Sequence, residues 1–170
     1  MIRIVIAEYQ EMLLEAISSL LDLEEDIEIV GQASNGEEAI ALVHQLHPDV
    51  CIMDMEMPVM SGLEAAEALQ ACACKVIILT TFRRDGHFQR ALKAKVSGYL
   101  LKDNPSDELA CSIRRIMDGM RLYSPELTDV AACHADGQAE SGSAILQPNA
   151  IGAVRNYLST IKDKMKAPTG

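Results

Sequence analysis

Short apolar runs alternate along this chain with longer stretches whose apolar residues recur every three or four positions. The first run, Ile2-Arg3-Ile4-Val5-Ile6-Ala7, has the length and near-continuous hydrophobicity of a strand buried on both faces. Comparable runs span 27–33, 50–53, 75–80 and 98–102. Between them, Leu13, Ala16, Ile17, Leu20 and Leu21 predict a helix over 10–22. Ser34-Asn35-Gly36 offers caps, Glu37 and Glu38 suit a first helical turn, and Pro48 ends the helix that Ile40, Val43 and Leu46 continue. After Pro58 and Gly62 comes an Ala/Glu/Leu-rich helix at 63–71, and a weaker one follows at 85–94. Asn104-Pro105 reads as a cap and a first helical residue, and Leu109, Ile113, Ile116 and Met117 line one face of the helix after it.

This alternation predicts an α/β fold: a doubly wound, five-stranded parallel sheet with helices on both faces, joined by right-handed crossovers. Strand carboxyl ends then share one rim, where ligands of open α/β sheets gather. Glu8, Asp54, Thr80 and Lys102 all fall at or just past such ends. Each has an ordinary role when taken singly, since a strand-terminal Asp is often a turn former and a Lys is often solvated. Together they place two carboxylates, a hydroxyl and an ammonium on one edge. Crowded carboxylates raise one another's pKa unless a cation intervenes. Hard oxygen ligands suit Mg²⁺, and a lysine with a hydroxyl suits a phosphoryl group.

Composition narrows the setting. Aromatic residues are scarce and Trp is absent, so aliphatic residues and Met must build the core. The net charge of −10 disfavours non-specific attraction of the whole chain to nucleic acid or anionic membrane. The sign is uneven: from residue 151 onward Arg155, Lys162, Lys164 and Lys166 face only Asp163, a local +3. Such an end suits either an anion or plain solvent. Cys72-Ala-Cys74 lacks the spacing of a redox or zinc motif, and the four histidines are scattered. Cys51 and Cys111 read as small hydrophobes. With a start unlike a signal peptide and no run of membrane-spanning length, a reducing cytoplasm is the expected location.

The stretches "CIMDMEMPVMSGLEA", "KVIILTT" and "GYLLKD" resemble, in order and spacing, the receiver domains of two-component response regulators over residues 1–120. The resemblance implies a flavodoxin-like sheet of strand order 2-1-3-4-5. It implies that Asp54 accepts a phosphoryl group from a histidine kinase, a phosphotransfer without enzymatic turnover of a substrate. Thr80 would be the switch hydroxyl, Lys102 the phosphate-pairing lysine, and Tyr99 the aromatic that turns inward on activation. Glu8, Asp54 and the backbone carbonyl of Glu56 would hold Mg²⁺.

The family carries a second acid after the first strand, where this chain has Tyr9. A phenol with a pKa of about 10 is a poor Mg²⁺ ligand. Weakened Mg²⁺ binding is one expectation. A second is that the Tyr9 hydroxyl reaches Asp54 or Lys102 and mimics part of the bound state, so that inactivation and locked activation both stay open.

"MRLYSPEL" resembles the linker of response regulators with a LuxR-type (NarL/FixJ) helix-turn-helix output, placing a linker at 121–129. "LTD" and "AVRNYLSTIKDKM" resemble the start and the recognition helix of that output. Arg155, Asn156, Ser159 and Lys162 would then face DNA. Gly137, Gly142, Pro148 and Gly152 interrupt the region between, so 130–170 reads as a shortened, degenerate remnant forming a small α-helical segment. "VCIMDMEMP", "GLEAAE" and "IILTTF" further resemble the DesR-like group of such regulators. The expected function is phosphorylation-controlled transcription, with a sensor kinase, DNA and a phosphorylation-dependent second copy as partners and no membrane. The rival reading is an interaction module that works without phosphate. A phosphate-ester hydrolase is disfavoured, because further general acids and a lid are not evident.

Overall fold

The computed structural model describes residues 1–81, 84, 86–103, 106–125 and 143–145. Elements alternate as β1 (Ile2–Ala7), α1 (Glu11–Leu21), β2 (Ile27–Ala33), α2 (Gly36–Leu46), β3 (Val50–Asp54), α3 (Gly62–Ala68), β4 (Lys75–Thr80), α4 (His87–Lys93), β5 (Gly98–Leu101) and α5 (Ser106–Met117). Two short strands follow, β6 (Arg121–Tyr123) and β7 (Ser143–Ile145). The strand order is β2-β1-β3-β4-β5-β6-β7, with every neighbouring pair parallel. The expected 2-1-3-4-5 core is therefore present and is extended at the β5 edge.

The apolar runs are continuous because both faces of the sheet are covered. Val5, Cys51, Met53, Val76, Ile78 and Tyr99 pack on one side with Ala39 and Val43 of α2, Leu63 and Ala66 of α3, and Phe88 of α4. Ile4, Ile6, Ile52, Ile77 and Leu100 pack on the other with Ile17 and Leu21 of α1 and Ile113 and Ile116 of α5. The alternation follows from the two-residue period of a strand. Each fully buried Ile or Leu contributes about 1.5–3 kcal/mol.

Caps set the helix starts. Asn35 Oδ1 accepts from Glu38 N at 3.0 Å, and Ser61 with Glu64 forms a reciprocal capping box. At the far end of α2, His47 takes a left-handed conformation before Pro48, and the Arg3 guanidinium donates to Leu46 O at 2.8 Å.

Three expectations change. The start of the expected linker is a strand: Leu122 and Tyr123 are buried and extend the β5 edge, which apolar periodicity cannot register over three residues. The third helix ends at Ala68 and the fourth starts at His87, both shorter than expected. Cys111 is exposed, because the buried stripe of α5 runs through Ala110, Ile113 and Ile116. The four residues expected to face DNA, with most of 130–170 and the helix expected there, lie outside the described residues.

Candidate functional site

The parallel register delivers the rim. Asp54 closes β3 opposite Leu79 of β4, and Thr80 pairs with Leu101 of β5. Lys102 N donates to Thr80 O at 2.8 Å, so the lysine follows directly from the β4–β5 pairing. Glu8 leaves β1 by donating its N–H to Ala33 O at 3.0 Å. Glu8, Asp54 and Thr80 are 2%, 5% and 5% exposed, which puts two acids in a low-dielectric pocket.

Lys102 answers that charge. Its Nζ lies 2.6 Å from Glu8 Oε2 and 3.0 Å from Asp54 Oδ1, bridging the two carboxylates. Backbone donors complete the arrangement: Gln10 N donates to Glu8 Oε1 at 3.1 Å, and Glu56 N to Asp54 Oδ1 at 3.2 Å. Burial, followed by the Glu8 charge, pushes the Asp54 carboxyl up to about 6, while Lys102 opposes the rise. The loop after β3 is fastened close by. Gly62 N donates to Met55 O at 3.1 Å, and a Cβ at Gly62 would stand 2.2 Å from the Asp54 carbonyl oxygen. Gly62 is thus a close-approach glycine as well as the turn residue expected of it.

Tyr9 points away from this cluster. Its side chain is 47% exposed, and its hydroxyl accepts from Gln10 Nε2 at 3.0 Å. The expectation that the hydroxyl reaches Asp54 or Lys102 is therefore corrected: the residues after Glu8 turn outward once its carboxylate is tied to Gln10 N. Tyr9 instead lines an open cleft of about 470 Å³ with Glu56, Pro58, Arg84, His87 and Arg90. An ion pair between Arg84 and Glu56 crosses that cleft. Sequence reading missed Arg84, because its partner lies 28 residues away. Tyr99 is 1% exposed, so its ring is already held inward.

The match to the family of response regulator receiver domains covers residues 4–114. The chain belongs to this family. It is a two-component response regulator that controls transcription. The chain is 49% identical to the transcriptional regulatory protein DesR of Bacillus subtilis strain 168, an alignment covering 98% of this chain and 91% of that protein. The uncharacterized transcriptional regulatory protein YvfU of the same organism is also 49% identical, over 98% and 92% of the two chains. Among solved structures, a LuxR-family DNA-binding response regulator from Staphylococcus aureus aligns at 38% identity and a TM-score of 0.65, covering 68% of this chain and 98% of that one. The NarL receiver domain of Mycobacterium tuberculosis aligns at 26% identity and a TM-score of 0.66, over 69% and 97%.

Receiver domains generally bind Mg²⁺ at the phosphorylation site. Two buried carboxylates side by side, Glu8 and Asp54, could offer oxygens to such an ion. Mg²⁺ is commonly held by one or two carboxylates, with water and phosphate completing its shell. Among the described residues, no three His, Cys, Asp or Glu side chains gather into a metal-binding group.

Proposed function

We propose that Asp54 is the phosphoacceptor of this regulator and that a sensor histidine kinase in the cytoplasm supplies the phosphoryl group. The observation that carries the reading is the bridge from Lys102 Nζ to Asp54 and Glu8 inside a buried rim. An Asp54 carboxylate oxygen attacks the phosphorus of a phosphohistidine in line. The new O–P bond forms as the P–N bond breaks, and the imidazole leaves with the bonding pair. Lys102 then pairs with a phosphoryl oxygen and Thr80 donates to another, so the protein's contribution is positioning and charge neutralisation. A bound Mg²⁺, held by Glu8, Asp54 and the Glu56 carbonyl, would neutralise further phosphoryl charge. The phosphoryl group stays on the protein, and no substrate is turned over.

Tyr9 weakens the metal and leaves the acceptor in place. Its outward pose supports lost charge over a mimic of the bound state. Labelling with acetyl phosphate across a Mg²⁺ series tests both points. Asp54→Asn should abolish labelling. Tyr9→Asp should lower the Mg²⁺ concentration for half-labelling about tenfold, as expected for one added charge near the ion. Equal Mg²⁺ dependence in the two proteins would remove the Tyr9 idea. Failure of Asp54 to label would leave the phosphate-independent interaction module, which the Tyr9 exchange favours.

For the output we infer a LuxR-type segment at 130–170 that is shortened, follows a linker from 121 and contacts DNA through Arg155, Asn156, Ser159 and Lys162. The alignment with DesR runs over 181 positions against 170 residues here, so at least 11 of its positions have no counterpart in this chain. Pairing of two phosphorylated copies would aid such a reduced segment, and sedimentation of labelled against unlabelled protein checks it.

A further inference from the structure

The turn from α3 into β4 carries two thiols within three residues. Cys72 and Cys74 are free and half-buried, and both line a cleft of about 160 Å³ between the ends of α3 and α4 and the start of β4. Gln70, Lys75 and Lys95 line it with them. The cleft lies at the amino end of β4, whereas Thr80 closes its carboxyl end, so it is separate from the Asp54 rim. Spacing alone did not mark this pair, and it is the fold that brings both thiols to one opening.

The backbone pins the turn on both sides. Cys72 N donates to Leu69 O at 2.8 Å, and Lys75 N donates to Asp49 O at 2.9 Å. Between those two bonds the chain bends at 72–74. Cα atoms two residues apart stand about 7 Å apart in a fully extended chain. A bend draws them in, toward the roughly 4.4–6.8 Å that a disulfide spans.

The two thiols differ in character. Burial, followed by the charges of Cys72 and Asp49, pushes the Cys74 thiol up to about 12. Its Sγ donates to Lys75 O at 3.8 Å. Cys74 is therefore the protonated partner at neutral pH, which leaves Cys72 to meet an oxidant as the thiolate. Cys51 is fully buried, and Cys111 sits on α5, outside this cleft.

We infer that Cys72 and Cys74 form a peroxide-sensitive dithiol that closes to a reversible disulfide across the α3–β4 turn. The Cys72 thiolate attacks one oxygen of hydrogen peroxide. The S–O bond forms as the O–O bond breaks, and hydroxide leaves. The Cys74 sulfur then attacks the sulfur of the Cys72 sulfenic acid. The S–S bond forms as the S–O bond breaks, and the departing hydroxide takes the Cys74 proton and leaves as water. The pair gives up two electrons and the peroxide gains them. A ring closed over three residues is strained, and strained or exposed disulfides are the readily reduced ones, so small thiols return the pair to its dithiol form. The inference stands on the cleft and its thiols and does not depend on Asp54 being the phosphoacceptor.

The test treats the full chain with hydrogen peroxide at neutral pH, alkylates the remaining thiols and maps them after cleavage at Asp and Glu. That cleavage separates Cys51, between Asp49 and Asp54, from the pair, between Glu67 and Asp85. The fragment with Cys72 and Cys74 should lose the mass of two hydrogens, resist alkylation at both positions and recover both thiols with dithiothreitol. Cys74→Ser should instead accumulate a sulfenic acid at Cys72 that dimedone traps. Cys72→Ser should leave Cys74 open to alkylation at the same dose, and this half-buried position serves alone if Cys74→Ser proves unstable. A pair that stays open to alkylation at a dose that oxidises the exposed Cys111 overturns the proposal. A disulfide between Cys74 and Cys51 also overturns it, as does a Cys72 sulfinic acid formed while Cys74 remains free.

Discussion

Asp54 is the residue on which charge and burial conflict most. Its carboxyl is raised from 3.8 to about 6 by burial and by Glu8, against the pull of Lys102. A raised carboxyl means that the folded state binds its proton more tightly than the unfolded chain does. Stability from this group is therefore full below about pH 4 and is lost as pH climbs through about 6. Asp54→Asn should accordingly raise the thermal unfolding midpoint at pH 7.5, and the gain should vanish near pH 4. A midpoint difference that stays constant across this range would show that the Asp54 charge is not strained. The same conflict suits a site that takes up a cation, because an added positive charge relieves it. At this scale the sequence revealed Glu8, Asp54, Thr80 and Lys102 as strand-end residues. It did not reveal that Lys102 pairs with Glu8 across 94 positions, or that Tyr9 faces solvent. Periodicity locates a strand's end, but the direction of the next side chain depends on the loop that follows.

At the scale of elements, the close approach of α3 to β3 positions the acceptor. Gly62 begins α3 with its hydrogen atom where a methyl group would strike the Asp54 carbonyl. Backbone cannot yield as a flexible side chain does, so Gly62→Ala should cost about 1–3 kcal/mol through overpacking. It should also lower the rate of acetyl-phosphate labelling by displacing the end of β3. Chemical denaturation and labelling on the same sample measure both, and unchanged values would mean that the loop relaxes freely. Asn35 and Pro48 marked helix ends that were legible in advance because capping is local chemistry. The ends of α3 and α4 were not, since Ala-rich and weakly periodic sequence carries few local stop signals.

For the molecule as a whole, charge bears on the proposed output. The residues from 151 onward carry +3 within a chain of −10, so the remainder carries −13. Repulsion between that body and a phosphate backbone should make DNA binding weak and strongly salt-dependent. A duplex carrying an operator-like palindrome should be displaced by random duplex with little preference, about tenfold or less, against the 10³-fold or more typical of specific regulators. A thousandfold preference measured at physiological salt would show that the output segment proposed at 130–170 has full sequence readout. Among the described residues no helix is long and apolar enough to cross a membrane.

By itself the sequence determined the order of strands and helices, the doubly wound class and the rim of strand ends. Periodicity, caps and breakers are properties of neighbouring residues, and parallel crossovers have one favoured hand. Only the tertiary structure decided which way Tyr9 turns, that Lys102 bridges two acids, and that the start of the expected linker is a sixth strand paired to β5. Those outcomes depend on groups far apart in the chain meeting in a buried space, where an unpaired charge or an open sheet edge is costly and is satisfied by whichever partner the fold brings near.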